Sequence, residues 1–114
     1  MPEGDIILYN SLILNKKLKN TIIKKIDEIT VNEKIIKISC KGKLLFIELE
    51  NENFIHIHLG LTGSFSFENM KNIRHIIIIE KNNKIINLNI IDTINLSKID
   101  ILTKTNHEKQ LNKL

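Results

Sequence analysis

The chain has 114 residues, of which 42% are hydrophobic and 26% are charged, as expected for one globular domain with a single hydrophobic core. The longest apolar runs, Ile76–Ile79 among them, have four residues and are far too short to span a bilayer, and no secretory signal is evident at the start of the sequence. We therefore expect an intracellular protein, in cytoplasm or nucleus, with no membrane association. Cys40 is the only cysteine, which excludes an internal disulfide and a four-cysteine zinc site.

The formal charge is +4, which favours an anionic partner without identifying one. Lysine supplies nearly all of the positive charge, since Arg74 is the only arginine. Isoleucine, lysine and asparagine dominate, whereas alanine and tryptophan are absent. AT-rich codons produce such a drift, so single isoleucine, lysine and asparagine residues receive no functional weight.

The first segment has the features of a helix. Pro2 suits a helix start, and Glu3 and Asp5 place negative charge in its first turn. Apolar residues then recur at helical spacing, namely Ile6, Leu8, Tyr9, Leu12, Ile13, Leu14 and Leu18. The pattern predicts a helix over roughly residues 3–18.

Beyond about Ile29 the apolar period changes to two, which is typical of strands. The strand segments expected are 36–38, Leu44–Leu49, Phe54–Leu59, Ser64–Phe67, Arg74–Glu80, Lys84–Ile91 and Ile94–Leu102. One helix followed by six to eight short strands predicts a mainly β fold, a two-sheet antiparallel sandwich or flattened barrel with an N-terminal helix. The tail from Thr103 is polar, and we expect it to be frayed.

Taken singly, the candidate site residues carry little information. Met1–Glu3 alone is a helix start, and Lys43 after a turn glycine is usually a solvated lysine. His56 and His58 share one face of a strand, but two ligands without a nearby cysteine do not predict a metal site. Gly60–Gly63 by itself predicts only a bulged turn.

Their order and spacing are more informative. Met1–Gly4 at the start, Lys41–Lys43 before an apolar strand, and His58–Ser64 closing the next strand together resemble the formamidopyrimidine-DNA glycosylase and endonuclease VIII family. The resemblance covers about residues 1–102. It implies the fold of that family's N-terminal domain over 1–102, followed by the polar tail 103–114. The family's helix–two-turn–helix domain and zinc finger have no counterpart in this sequence.

The resemblance continues more faintly elsewhere. Leu18–Ile22 is similar to the family's segment after the helix, with Asn20 at the usual glycine. Arg74–Ile76 is similar to a later strand, and Asp92 occupies the position of a late aspartate.

The resemblance implies a DNA glycosylase and abasic-site lyase of base excision repair that needs no cofactor. After removal of Met1, the secondary amine of Pro2 would be the Schiff-base nucleophile, with Glu3 as proton shuttle. Lys43 would contact the phosphate beside the lesion, and His58 would also face the DNA. Leu61 would be the apolar wedge that fills the space of the flipped nucleotide.

Two departures from the family pattern bear on function. Ile6 stands where the family often has a second glutamate, and Thr93–Leu96 replaces a segment that commonly carries two arginines. We therefore expect weak binding of damaged or abasic DNA by this chain alone, because the phosphate contacts of the missing domains are lost. A separate chain that supplies the helical domain would restore them.

Three hypotheses remain open at this point. The chain could be a minimal or split glycosylase and lyase, a noncatalytic DNA- or protein-binding module, or the remnant of a shortened glycosylase gene. Pro2, Glu3 and Lys43 favour the first, whereas the changed segment after Asp92 favours the other two.

Overall fold

A computed structural model describes residues 4–113 of the chain. The described residues form α1 (Gly4–Leu18), β1 (Ile22–Ile26), β2 (Ile29–Lys41), β3 (Leu44–Leu49), β4 (Phe54–His58), β5 (Ser64–Ser66), β6 (Ile73–Lys81), β7 (Lys84–Ile91), β8 (Lys98–Leu102) and α2 (Lys104–Leu111). The prediction of a mainly antiparallel β fold with an N-terminal helix is confirmed. Neither described helix has the length and apolar character needed to cross a membrane.

The long strand β2 joins the two halves of the sheet. The strand order is β5-β7-β6-β1-β2-β3-β4-β8, and all neighbours are antiparallel. The first part of β2 pairs with β1, and the second part, from Ile35, pairs with β3, with a register shift between Ile35 and Lys37. Both halves contribute side chains to one hydrophobic core. A bulge lets one strand serve two sheet surfaces because it bends the strand locally.

Helix α1 packs on β2 through a narrow face. Its buried residues are Ile7, Ser11, Leu14 and Leu18, spaced at i, i+4, i+7 and i+11 as one helix face requires. The Asn15 side-chain oxygen accepts a hydrogen bond from the Ile38 amide at 2.8 Å, just beyond the register shift in β2. The helix is therefore fixed to the bulged part of the strand.

Only part of the apolar stripe of this helix packs on the sheet. Most of the apolar stripe predicted from the sequence faces outward, and the side chains that are exposed are Ile6, Leu8, Tyr9, Leu12 and Ile13. The reason is that α1 is apolar around most of its circumference, so hydrophobic periodicity does not distinguish the packed face from the outer one.

Two strand predictions also need correction. Strand β1 was not predicted, because its register shift between Ile23 and Lys25 breaks the alternation of buried and exposed residues. The last strand begins at Lys98, and the preceding residues from Ile94 form a loop. The loop owes its shape to Asp92, as described below.

The segment after Thr103 is helical, so the expectation of a frayed tail is wrong. Thr103 is the N-cap of α2, and its hydroxyl accepts a hydrogen bond from the Asn106 amide at 3.3 Å. Such a cap satisfies one of the free amides of the first turn. At the other end, the Lys41 ammonium donates to the Leu111 carbonyl at 2.9 Å.

A buried imidazole packs α2 against the sheet. His107 is the buried residue of this helix. Its ring stacks on Phe54 with centroids 3.6 Å apart, and its Nδ1 lies 2.7 Å from Nε2 of His56. The helix is otherwise polar, which is why periodicity does not reveal it.

Candidate nucleic-acid interface

The start of α1 lies beside the turn between β2 and β3. A Cβ placed on Gly4 would be 3.8 Å from the Gly42 carbonyl oxygen. Gly42 has a φ of +59°, a backbone conformation that side chains disfavour. Pro2 and Glu3 precede Gly4 in the chain and lie outside the described residues, whereas Lys43 follows Gly42 and is exposed.

His58 lies at the same end of the sheet. It is the last residue of β4 and pairs with Leu44, the first residue of β3, so the end of β4 is adjacent to the β2–β3 turn. The His58 side chain is exposed. The antiparallel pairing therefore places Lys43 and His58 at one edge of the molecule, together with the start of α1.

The loop that follows β4 depends on two glycines. Gly60 has a φ of +69°, and a Cβ at Gly63 would collide with the Leu59 carbonyl oxygen. Since no side chain tolerates such a contact, the backbone can make this tight turn only with glycine at 63. Leu61, at the tip of the loop, has 47% of its surface exposed.

Asp92 holds this loop against the one that follows β7. Its carboxylate is fully buried and accepts hydrogen bonds from the Thr62 hydroxyl and from the amides of Ile94, Leu96 and Ser97. Burial by itself raises the pKa of Asp92, but these hydrogen bonds outweigh it and hold the pKa well below its usual range. We call Asp92, Thr62 and the 94–97 amides the Asp92 cluster.

The cluster explains the late start of β8. The amides of Ile94, Leu96 and Ser97 donate to the Asp92 carboxylate, and β4 ends at His58, the pairing partner of Lys98. The side chains of Ile94 and Leu96 are exposed, each with about half of its surface accessible. Arg74 adds a support from β6, because its Nε donates to the Asp92 carbonyl oxygen at 2.7 Å. Leu61 is thus carried by a rigid pair of loops.

The two strand histidines differ in environment, although they share a strand face. Burial, together with the neighbouring His107 and His58, lowers the pKa of His56 to about 4, while Asp100 opposes the shift. His58 is exposed. Within residues 4–113 no three His, Cys, Asp or Glu side chains lie close enough together to hold a metal ion.

Sequence reasoning missed the role of Asp92 and its hydroxyl partner. Asp92 was noted only as a position shared with a family, and Thr62 only as part of a turn. The one available signal was a carboxylate at the end of an apolar strand, followed by residues that break the strand pattern. Such a carboxylate often accepts amides of its own loop.

Comparison with known proteins identifies the family. The model of the formamidopyrimidine-DNA glycosylase N-terminal domain matches residues 3–99. The chain belongs to this family. It is 36% identical over 84 residues to the formamidopyrimidine-DNA glycosylase of Ureaplasma parvum serovar 3, a match that covers 69% of this chain and 30% of that one. The Mycoplasma pneumoniae enzyme is 36% identical over 55 residues, which are 48% of this chain and 20% of that enzyme.

Solved structures confirm the fold. The MutM (Fpg) protein of Thermus thermophilus superimposes with a TM-score of 0.85 at 17% identity, over 95% of this chain and 43% of that one. Lactococcus lactis Fpg, non-covalently bound to DNA containing an abasic site, gives a TM-score of 0.83 at 16% identity, over 98% and 49% respectively.

The chain spans less than a third of the two curated relatives and under half of these solved structures. Family membership therefore concerns the N-terminal domain. The roles of Pro2, Glu3, Lys43, His58 and Leu61 remain predictions, because the first two lie outside the described residues and the other three are assigned by the resemblance alone.

Proposed function

We propose that this chain is the nucleophile-bearing part of a DNA glycosylase and abasic-site lyase of base excision repair, with the Pro2 amine as Schiff-base nucleophile. The observation that carries the proposal is the approach of Gly4 to Gly42. It brings the start of α1, which follows Pro2 and Glu3 in sequence, next to the turn that bears Lys43. Attack on the sugar of a nucleotide requires a nucleophilic amine, and a cation beside it can bind the adjacent phosphate.

The chemistry begins once Met1 has been removed. An α-amino group has a pKa of about 7.7–8.0, so roughly a tenth of it is neutral at pH 7. The Pro2 nitrogen uses its electron pair to form a bond to C1′ of the nucleotide. The bond from C1′ to the base breaks, and the base leaves with that electron pair and a proton. Opening of the sugar ring then gives an iminium ion between Pro2 and C1′.

Strand cleavage follows from the iminium ion. It withdraws electrons from C2′, so a C2′ proton is lost and the 3′ phosphate departs with the electrons of its C3′–O bond. The carboxylate of Glu3 is adjacent in sequence to the amine and moves protons to the ring oxygen and from C2′. Addition of water to the iminium carbon then releases the sugar as an aldehyde and regenerates the Pro2 amine.

The exposed side chains at this edge supply the DNA contacts. Lys43 neutralises a backbone phosphate, and His58 lies at the same end of the sheet. Leu61, exposed on a loop that the Asp92 cluster fixes, enters the space of the flipped nucleotide. Binding by this chain alone is weak and falls steeply with salt. A separate chain that contributes a helical DNA-binding domain strengthens it.

A noncatalytic binding module is the second candidate. The segment after Asp92 favours it, because Thr93–Leu96 presents the exposed apolar Ile94 and Leu96 in place of arginines. Such a module would bind DNA or protein without forming a covalent intermediate. The remnant of a shortened glycosylase gene would also form no covalent intermediate.

Trapping with borohydride separates an enzyme from a binding module. Borohydride reduces an iminium ion to a stable amine, so protein with a free Pro2 should become linked to DNA that carries an abasic site. An abasic sugar is suitable because it demands no base recognition. The matched control retains Met1 or an N-terminal tag, and trapping should disappear. Trapping that persists with a blocked N-terminus would assign the imine to a lysine instead.

Substitution of Glu3 tests the order of steps. Glu3→Gln should slow strand cleavage more than trapping, because the carboxylate acts mainly after the amine has attacked. Absence of any trapping by folded protein at low salt would leave the binding module and the gene remnant.

A pair of lysines tests the DNA contact. Lys43→Ala should weaken binding or processing of abasic DNA, whereas Lys109→Ala, in the last turn of α2, should change it little. Both lysines are exposed. Equal effects would mean that Lys43 is an ordinary surface charge.

A further inference from the structure

The outward face of α1 is apolar and is not used by the fold. Tyr9 and Leu12 have 64% and 62% of their surfaces exposed, and Ile6, Leu8 and Ile13 lie between 43% and 49%. Tyr9, Leu12 and Ile13 lie opposite the face that packs on β2, and Ile6 and Leu8 flank them. A contiguous apolar helix face of this kind marks an interaction surface, because a helix that is apolar all round is normally buried on both sides.

The residues of this face are arranged as a stripe with charged ends. Asp5, Tyr9, Leu12 and Lys16 follow one another at intervals of four, three and four, the spacing of a helix-pairing seam. Asp5 and Lys16 are both exposed. The stripe therefore runs from a carboxylate, over two large apolar side chains, to an ammonium group.

That stripe is complementary to itself in the antiparallel direction. A two-fold axis level with the midpoint of positions 10 and 11 brings together residues of the stripe whose numbers add up to 21. Tyr9 then lies next to the partner's Leu12, and Asp5 faces the partner's Lys16. The large apolar side chains of the stripe meet apolar ones, and both charged pairs are of opposite sign.

We propose that two copies of this chain associate through an antiparallel pair of α1 helices about this axis. The apolar centre supplies most of the binding free energy, and the two Asp5–Lys16 pairs mainly fix direction and register. One helix face from each copy makes a small interface, so the dimer is in exchange with monomer.

The dimer leaves the two candidate DNA sites apart. Each Gly4 lies 6.5 residues from the axis along the helix, which is about 10 Å at 1.5 Å per residue. The two helix starts are therefore about 20 Å from one another along the pair. Two copies on one DNA gain effective concentration, which offsets weak binding by each.

Sedimentation analysis of the full chain tests the proposal without reference to catalysis. Between about 1 µM and 500 µM, where small interfaces associate, the mass should rise from monomer to dimer. Leu12→Asp should raise the dimer Kd at least about tenfold, since it buries a charge at the centre of the seam. Ile85→Asp is the matched control, because Ile85 on β7 is also 62% exposed, and it should leave the Kd unchanged.

A charge exchange tests the register. Asp5→Lys and Lys16→Asp should each raise the Kd about threefold, because each creates like-charged pairs. The double variant should return to within about twofold of the native Kd, since it restores opposite charges in reversed order. A monomer at every concentration, a dimer indifferent to Leu12→Asp, or a double variant weaker than both single variants would each overturn the proposal.

Discussion

The Asp92 cluster and the His56–His107 pair are both buried polar groups, but they are stabilised by opposite means. Asp92 keeps its charge because a hydroxyl and three amides donate to it. His56 and His107 form one hydrogen bond with each other, and burial lowers the pKa of both. A buried charge is tolerated when its acceptor sites are filled, whereas a pair with fewer partners stays neutral.

The two groups also differ in their relation to the family. Asp92 lies within the matched residues 3–99, and His107 lies beyond them. The first fixes the loops next to the candidate DNA site, and the second attaches a terminal helix. Loss of the Asp92 cluster should therefore destabilise the fold as a whole, whereas loss of the His56–His107 pair should affect mainly the attachment of α2.

The largest expected effect is that of Asp92→Asn. The substitution keeps the shape but removes the charge and introduces an amide donor among groups that already donate. We expect the free energy of unfolding to fall by about 3–4 kcal/mol, as for a disrupted buried network. Urea denaturation measures this loss. Glu28→Gln, an exposed carboxylate, is the control, and a loss equal to that of the control would contradict the role of the cluster.

The pH dependence separates the two groups. The folded pKa of His56, about 4, lies below its usual 6.5, so its contribution to stability is complete above pH 6.5 and declines as the pH falls toward 4. One extra proton bound by the unfolded chain gives a slope of at most about 1.4 kcal/mol per pH unit between these two values. The pKa of Asp92 is also lowered, but its contribution is lost only below the ordinary carboxyl value near 3.8.

Urea denaturation at intervals from pH 7.5 to 4.5 measures this slope. His56→Gln should flatten the slope, since it removes the group that resists protonation. His58→Gln, on the same strand but exposed, should leave most of it. A slope that is unchanged in His56→Gln would show that other groups govern acid stability.

A smaller and local effect is expected of His107→Ala. The stacked ring on Phe54 is lost, and the free energy of unfolding should fall by about 2 kcal/mol. Hydrogen exchange should show lost protection in 104–111 but retained protection in 92–97. The exposed Gln110→Ala should alter neither segment. If protection around Asp92 also disappeared, the two clusters would not be independent.

The sequence predicted most elements because their signals are local. The bounds of α1 followed from helical spacing, and β6 and β7 followed from the predicted strand segments Arg74–Glu80 and Lys84–Ile91. Both turn residues, Asn82 and Asn83, have positive φ, as a two-residue hairpin turn requires. Gly60 and Gly63 were found through a family resemblance, and the structure gives each a steric reason.

The features that the sequence did not predict depend on contacts between residues that are far apart in the chain. Helix α2 is attached through His107, whose partner His56 is 51 positions away in the sequence. No local sequence pattern predicts such a pairing. The outward face of α1 was not distinguished from its packed face, because periodicity cannot tell which apolar side meets the sheet. The positions of Pro2 and Glu3 relative to Lys43 are still a prediction.

Single asparagine residues received no functional weight because the whole composition is rich in asparagine, yet asparagine has a structural role at the turns. Eight described residues other than glycine have positive φ, and six of them are asparagine. Asparagine tolerates this conformation better than other side chains do. A drift in composition therefore supplies turn residues where glycine would otherwise stand.

The smallest predicted effect tests this substitution of asparagine for glycine. Asn20 has a φ of 69°, and its amide donates to the Ile35 carbonyl at 2.8 Å, which turns the chain from α1 into β1. Asn20→Gly should change the free energy of unfolding by less than about 0.5 kcal/mol, because two effects oppose each other. Glycine adopts positive φ without strain in the folded state, but it also raises the conformational entropy of the unfolded chain. Asn20→Val should cost about 1–2 kcal/mol, since a β-branched side chain is strained at positive φ. Asn112→Val, at a φ of −70°, controls for the loss of an exposed amide, and equal losses at 20 and 112 would mean that backbone conformation does not govern the choice of residue.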